Sequence, residues 1–174
     1  TGSNGICLEM YESNCHVSRM QMTQTGTGAS GRVWEAGSSL TMYCDSCILE
    51  SFTSAGSVIT GLGNSIPIVS NSVLISRTTG GTQLVKNSTG SPELYNCTIV
   101  APDDLATAPT EILNGTTSGT WTVQNCGLFA GDSTKAIKAG SATFNFTTCY
   151  SDISGTSGVT QTTYANAFEN VNNA

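Results

Sequence analysis

The sequence has few charged residues, few prolines, few aromatic residues and no long apolar run. Only 10% of its 174 residues are charged, against about 25% in an average soluble domain. The longest apolar runs are three or four residues, whereas a membrane-spanning helix needs about 20. Six basic residues are scattered among twelve acidic ones, for a formal charge of −6. We therefore expect no basic surface for nucleic acid or for an anionic membrane.

The remaining composition is that of a folded domain with a polar, weakly charged surface. The chain is 38% hydrophobic, contains four prolines, and has 19 glycines without a collagen period. This composition predicts neither disorder nor a fibrous protein. Since so few residues are charged, serine, threonine, asparagine and glycine must cover most of the surface. The length suits one compact domain over residues 1–174.

The sequence repeats a short phrase in which a small polar residue precedes a cysteine or serine and apolar residues follow. The phrases are spaced 23 to 32 residues apart, which is the repeat length of solenoid proteins. We take the central residue of each phrase as the anchor of one rung. The six predicted anchors are Cys15, Cys47, Ser72, Cys97, Cys126 and Cys149.

A polar residue precedes each anchor, and four of these six residues are asparagines. Asparagine tolerates left-handed backbone geometry and bonds its own turn, so we expect a turn with a ladder of side-chain hydrogen bonds. The positions three and five before the anchor are mostly apolar, and the position between them varies. That is the period of two of a strand with one buried face. The predicted ladder contains Asn14, Asn71, Asn96 and Asn125, beside the column of anchor cysteines.

A second strand precedes each of the last five anchors by 12 or 13 residues. This constant spacing confines variable length to the other connections, as expected when insertions occur in loops. The positions aligned as equivalent in this strand are Trp34, Ile59, Val85, Leu113 and Ile137. The predicted strand segments are 32–37, 57–61, 83–87, 111–115 and 135–140.

Each rung is therefore predicted to contain three short strands, and no stretch shows helical periodicity with caps. The pattern predicts an all-β fold: a right-handed single-stranded parallel β-helix of about five to six rungs. We expect an irregular C-terminal tail at residues 154–174.

The turn at Asn96 and Cys97, the inward apolar columns and the three strands per rung resemble the right-handed β-helices of the pectate-lyase-like superfamily. That group includes polysaccharide lyases, phage tailspikes and other virion or cell-surface proteins. The resemblance covers residues 6–153, and residues 157–174 resemble the closing segment of bacterial and phage β-helix proteins. It implies the fold and a homotrimer about parallel long axes. Activity is not implied, because function lives in sites grafted on folds.

Two cysteines, Cys44 and Cys47, have the Cys-x-x-Cys spacing of a zinc half-site or a redox pair. However, both fall on predicted wall columns, no second such pair exists, and His16 is the single histidine. Since buried cysteine behaves as a small apolar residue, we interpret both as wall. We predict no metal and no cofactor. With seven cysteines, at least one thiol is unpaired, and Cys7 lies outside the column.

Catalytic side chains are not evident. A polysaccharide hydrolase needs two carboxyl groups roughly 5–10 Å apart. When the chain is aligned by its predicted rungs, no outward column holds two of the acidic residues, and the basic residues line no acidic cleft. Cys15 and His16 are adjacent in sequence and point to opposite faces of a strand, so they form no nucleophilic dyad. We predict no catalytic residue and no enzyme.

These observations predict a non-enzymatic structural or binding protein. The expected setting is the surface of a bacteriophage virion, as a capsid decoration protein, head fibre or tailspike segment. One alternative is a carbohydrate-binding or polysaccharide-cleaving module, and another is an extracellular adhesin or surface-protein segment of a bacterium. The expected partners are further copies in a homotrimer, other virion proteins and a glycan. Tyr11, Tyr43 and Tyr95 are outward aromatic residues that could form a contact surface.

Overall fold

The computed structural model describes residues 5–25, 31–52, 56–77, 83–101, 110–131 and 135–162. Over these ranges the chain forms 19 strands in three sheets. All strand pairs between them are parallel. No helix able to cross a membrane is found in the same ranges.

The chain enters the three sheets in turn, so that every third strand lies in the same sheet until the final pair. Sheet A contains β1 (Ile6–Met10), β4 (Arg32–Ala36), β7 (Ser57–Gly61), β10 (Gln83–Asn87), β13 (Glu111–Gly115) and β16 (Ala136–Gly140). Sheet B contains β2 (Cys15–Ser18), β5 (Thr41–Asp45), β8 (Ile66–Ser70), β11 (Glu93–Tyr95), β14 (Thr120–Gln124) and β17 (Thr143–Thr147). Sheet C contains β3 (Gln21–Gln24), β6 (Ile48–Ser51), β9 (Val73–Ser76), β12 (Thr98–Val100), β15 (Gly127–Phe129), β18 (Cys149–Ser151) and β19 (Val159–Gln161).

The result is a parallel β-helix of about five turns with three strands per rung, which confirms the predicted fold class. The right-handed sense of the coil stays a prediction from the general handedness of parallel crossovers.

The core consists of columns of apolar side chains that repeat from rung to rung. In β5 and β8 buried and half-buried residues alternate along the strand, because successive side chains point to opposite faces. Leu94 pairs with Val69 on one side and with Val123 on the other, and all three are fully buried. The alternation of apolar and other residues in the sequence therefore identifies the buried face of sheet B.

Sheet A departs from simple alternation, since two successive residues of one strand enter the core. Val33 and Trp34 are both fully buried, and β7, β10 and β13 repeat this pattern. Hydrophobicity alone consequently does not fix the register of this sheet. The predicted equivalence of Leu113 and Ile137 is wrong by one residue, because Leu113 pairs with Lys138.

The first rung is shifted relative to the prediction. Strand β3 pairs with β6, and the N–H of Ile48 donates to the carbonyl of Met20 at 2.9 Å. This register places Met20, and not Cys15, opposite Cys47. Cys15 opens β2 instead and pairs with Met42 of sheet B. The prediction of Cys15 as an anchor is therefore wrong.

Asn14 is likewise outside the predicted ladder. Its N–H donates to the carbonyl of Thr41 at 2.7 Å, at the corner that leads from sheet A into sheet B. The position before Met20 is filled by Arg19. Asn14 also has a left-handed backbone, with φ 63°. The Asn14-Cys15 pair therefore resembles the repeated phrase in sequence, although it lies at the corner between sheets A and B.

The C-terminal tail, predicted to be irregular from residue 154, contains a strand. Val159 of β19 pairs with Cys149 of β18, which extends sheet C by one strand beyond the other two sheets. The rest of that tail, residues 163–174, lies outside the described residues.

Candidate functional site

The turn that joins sheet B to sheet C has the same backbone geometry in all six rungs. The residue before each anchor is left-handed, with φ between 49° and 56°. Asparagine reaches this region more easily than most residues, which explains its recurrence in the middle rungs. The six residues at this position are Arg19, Ser46, Asn71, Asn96, Asn125 and Thr148.

The asparagines of this turn form a hydrogen-bonded ladder. Asn125 Nδ2 donates to Asn96 Oδ1 at 3.2 Å, and Asn96 Nδ2 donates in turn to Asn71 Oδ1 at 3.2 Å. The ladder ends on a carboxylate, since Asn71 Nδ2 donates to Asp45 Oδ1 at 2.8 Å. Hydrogen bonds from Ser70 and Asn71 lower the pKa of Asp45. The structure thus brings together three of the four predicted asparagines and adds an acid that the sequence analysis did not assign.

The anchor residues form a buried column beside this ladder. Each thiol of the column donates to the carbonyl two residues earlier, at 3.2 to 3.4 Å. Ser72 makes the same bond, from Oγ to the carbonyl of Ser70 at 2.6 Å. A hydroxyl therefore makes the same hydrogen bond as a thiol at this position, and these bonds stabilise the turn in each rung. The anchors in register are Cys47, Ser72, Cys97, Cys126 and Cys149, all at most 2% exposed.

The thiols of the wall are poor candidates for chemistry. All seven cysteines are free, and burial raises the pKa of Cys44. A hydrogen bond to Cys126, together with burial, raises the pKa of Cys149. The neighbouring Cys126 thiol lowers the pKa of Cys97, but that side chain is only 2% exposed. Since thiolate character and access together control reactivity, none of these thiols is poised to react.

The Cys44 and Cys47 pair sits as the wall interpretation expects. Cys44 lies on the inward column of sheet B between Val17 and Val69, and both cysteines are 1% exposed. Among the residues that the structure describes, no group of three or more histidine, cysteine or acidic side chains could hold a metal ion.

Two carboxyl groups meet at the first rung of sheet A, which the sequence analysis missed. Glu9 of β1 is the register partner of Glu35 of β4. The two residues therefore lie side by side on adjacent strands, and Glu9 contributes to raising the pKa of Glu35. Glu35 is 4% exposed, whereas Glu9 faces solvent. We call Glu9 and Glu35 the acid pair.

A cation and a phenol border the acid pair. Arg32 Nη1 lies 2.5 Å from Glu35 Oε2, although that oxygen accepts no hydrogen bond of good geometry from the described residues. A hydrogen bond to Glu9 raises the pKa of Tyr11. Burial is the main cause that raises the pKa of Glu35, with Arg32 acting against it and Glu9 adding to it. Among the described carboxyl groups, Glu35 therefore has a raised pKa, whereas Asp45 has a lowered one.

Further along sheet A a single carboxylate accepts hydrogen bonds from two amide side chains. Gln83 Nε2 and Asn114 Nδ2 both donate to Glu111 Oε1, at 3.2 and 2.9 Å. No second carboxyl group is paired with Glu111 in the register of β10, β13 and β16. This cluster therefore holds one carboxylate and two amide side chains.

The three outward tyrosines do not form one platform. Tyr11 lies between β1 and β2, outside the strands of sheet B, and is 70% exposed. Tyr43 pairs with His16, and their rings stack with centroids 4.2 Å apart. Tyr95 Oη donates to Glu93 Oε2 at 2.8 Å on a neighbouring column of sheet B. A common contact surface of these tyrosines is therefore not supported.

Compared with protein-family models, with curated proteins and with solved structures, the chain matches none.

The acid pair escaped the sequence analysis because its first strand was not recognised. Because the first anchor was placed at Cys15, Ile6–Met10 was not recognised as a strand of sheet A. Counted from Met20, Leu8 has the same spacing that separates the aligned strand position from its anchor in later rungs, and it pairs with Trp34. That spacing was the signal that could have revealed the pairing of Glu9 with Glu35.

Proposed function

We propose that this chain is a non-enzymatic structural or binding β-helix, a component of a bacteriophage virion such as a capsid decoration protein, head fibre or tailspike segment. The single observation that carries the proposal is the unbroken register of the wall. The described rungs stack strand upon strand, with the largest core side chains fully buried. Such a stack supplies stiffness and an extended surface, which are the properties that a virion projection needs.

The acid pair supports a structural role better than a catalytic one. Glycoside hydrolysis needs carboxyl groups roughly 5–10 Å apart, so that sugar or water fits between them. Of the two, Glu35 is only 4% exposed, so a sugar cannot reach both carboxyl groups. The bordering Arg32 is held in an ion pair with Glu35 and is not free to hold an acidic sugar.

We also propose a superfamily, partners and an oligomeric state for this chain. The three-strand rung with its asparagine turn supports membership of the pectate-lyase-like superfamily. The low charge density supports a surface of hydroxyls and amides at the outside of a particle, with other virion proteins or a glycan as partners. We expect homotrimers about parallel long axes. Analytical ultracentrifugation at micromolar concentration tests this, and a monomer counts against a self-assembled spike.

A second candidate function, a carbohydrate-binding or polysaccharide-cleaving module, is favoured by one observation: Tyr11, which is 70% exposed, lies beside the acid pair. A screen of acidic and neutral polysaccharides for new reducing or unsaturated ends separates the two functions. Cleavage that is lost in the Glu35→Gln variant would replace the structural proposal. A bacterial adhesin segment is the remaining alternative, and the genes adjacent to the coding sequence distinguish it from a phage protein.

A further inference from the structure

Large apolar side chains are exposed mainly on one of the three sides of the solenoid, the side of sheet C. Of the five such side chains that are exposed in the described part of the chain, Tyr11 alone lies elsewhere. Ile48 belongs to β6 and Tyr150 to β18, while Met20 precedes β3 and Phe52 follows β6. These four are between 41% and 49% exposed. Single exposed apolar residues are ordinary, whereas a group on one side marks an interaction site.

Ile48 and Tyr150 belong to the first of two outward columns that run along sheet C from rung to rung. Their direction follows from the inward neighbours Leu49, Leu74 and Ile99, which are fully buried, because successive side chains of a strand point to opposite faces. The first column is Ile48, Val73, Thr98, Gly127 and Tyr150, and the second is Glu50, Ile75, Val100 and Phe129. We call these two columns, with Met20 and Phe52 at their borders, the apolar face.

The large ring on the apolar face does not project from it. Phe129 is 5% exposed, and a Cβ added to Gly127 would lie 2.7 Å from Cε2 of Phe129. The ring therefore lies along the sheet, in the room that the glycine leaves. This arrangement keeps the face even, which is what close packing against a partner requires.

The strands of sheet C carry very little charge. Glu50 is the one charged residue among them, and its Oε1 lies 2.6 Å from Arg77 Nε. The guanidinium of Arg77 also lies over the ring of Phe52, 5.8 Å from its centroid. Asp152, which follows β18, is 8% exposed and accepts hydrogen bonds from two backbone N–H groups. The other charged residues of the described strands lie in sheets A and B: Glu9, Arg32, Glu35, Asp45, Lys86, Glu93, Glu111 and Lys138.

This distribution of charge suits a second copy of the same chain. The chain has a formal charge of −6, so two copies repel one another wherever their charged sides meet. On the apolar face Glu50 is already paired with Arg77 of its own chain. Two such faces therefore meet without burying an unpaired charge, which is the costly event in an interface. A strongly charged partner finds no opposite charge there to pair with.

We propose that copies of this chain associate through the apolar face, with Ile48 and Val73 in the contact. The proposal rests on the self-association proposed above and assigns it to one side of the solenoid. Since neighbouring strands are about 4.8 Å apart in every copy, the rungs of two copies can stay level with one another along parallel axes.

The test is sedimentation velocity of the full chain across the micromolar range, with and without a lysine on the apolar face. Val73→Lys places the charge at a half-buried outward position of β9, and Ile48→Lys places it at an exposed position of β6. The matched control is Ile68→Lys, at a half-buried outward position of β8 in sheet B of the same rung. A buried unpaired charge should raise the apparent dissociation constant by roughly 30-fold or more in the first two variants. The control should associate as the wild type does.

Far-UV circular dichroism checks that each variant is folded, and Ile48→Lys decides the outcome if Val73→Lys does not fold. An oligomer that persists in the folded apolar-face variants would overturn this proposal alone, and self-association would then use another side. A wild type that stays monomeric would overturn it together with the self-association on which it rests, and would leave the face to another virion protein. An equal loss of association in Ile68→Lys would also contradict it, because the effect would not be specific to sheet C.

Discussion

The middle rungs and the first rung share one backbone plan and differ in the side chains that carry it. In the rung of Cys97 the left-handed turn residue is an asparagine and the anchor thiol is buried. In the first rung the left-handed residue is Arg19, and Met20 at the anchor position is 47% exposed. The same turn geometry thus forms with and without the preferred side chains.

This difference shows that neighbouring rungs impose geometry on one another. Each middle strand is hydrogen-bonded on both sides, whereas β1, β2 and β3 have one neighbour each. The N–H of Arg19 donates to the carbonyl of Asp45 at 3.1 Å, so the second rung holds the first in its shape. Side chains matter most where a rung must hold its geometry for two neighbours.

The largest expected contrast between the two regions is in the core. Leu94→Ala removes a fully buried side chain and should lower the free energy of unfolding by about 2–5 kcal/mol. Leu8→Ala, at a half-buried position of β1, should cost less than half of that. Urea denaturation of both variants measures the difference. Equal losses would show that the first rung is packed as tightly as the middle ones.

The next contrast concerns the left-handed turn. Asn96→Leu should destabilise by about 1–3 kcal/mol, because it strains the backbone and breaks two ladder hydrogen bonds. Arg19→Leu should have little effect, since Arg19 already occupies this conformation without an amide. The control Asn96→Gly relieves the backbone strain while it removes the ladder bonds. A full loss in Asn96→Gly would assign the effect to the ladder alone.

A smaller effect is expected in the anchor column. Cys97→Ser should lower the free energy of unfolding by about 1 kcal/mol or less, because a hydroxyl keeps the hydrogen bond that the thiol makes to the carbonyl of Tyr95. Ser72 already does this in the adjacent rung. Cys97→Ala, which loses the donor, should cost more. If Cys97→Ser abolished a binding function without unfolding the protein, the structural interpretation of this column would be wrong.

The smallest contrast between the first rung and the middle rungs can be measured without a mutation, from the accessibility of their thiols. Thiol labelling of the native chain should modify the exposed Cys7 first and the half-buried Cys15 more slowly. Because burial raises the pKa of Cys7, its labelling rate should still increase above the ordinary thiol pKa of about 8.5. The remaining thiols should react only after denaturation, and mass spectrometry counts them. The protected set is Cys44, Cys47, Cys97, Cys126 and Cys149.

Much of the fold could be predicted from the sequence because rungs two to six repeat both their chemistry and their spacing. Asn71, Asn96 and Asn125 mark the left-handed turn, and the apolar alternation marks the buried face of sheet B. The first rung could not be read in this way, since its true turn residue is Arg19 and an Asn-Cys pair stands at another corner. A local phrase identifies a turn type, and only the pairing register shows which corner it belongs to.

The acid pair was missed for a related reason. Pairing Glu9 with Glu35 depends on the register of a strand that packs both Val33 and Trp34 into the core. Two apolar columns side by side allow a shift of one residue without any visible change in hydrophobicity, as the misassigned Ile137 illustrates. A predicted contact between outward side chains is wrong whenever the predicted register is shifted in this way.

The amide ladder gives the molecule a direction. Every side-chain bond from Asn125 through Asn96 and Asn71 points its N–H toward the carboxylate of Asp45. Hydrogen bonds in a chain polarise one another, so the negative charge of Asp45 is felt most by the nearest amide and progressively less along the row. The solenoid therefore carries a small permanent dipole along one corner, and its two ends are electrically distinct even where their strands are alike.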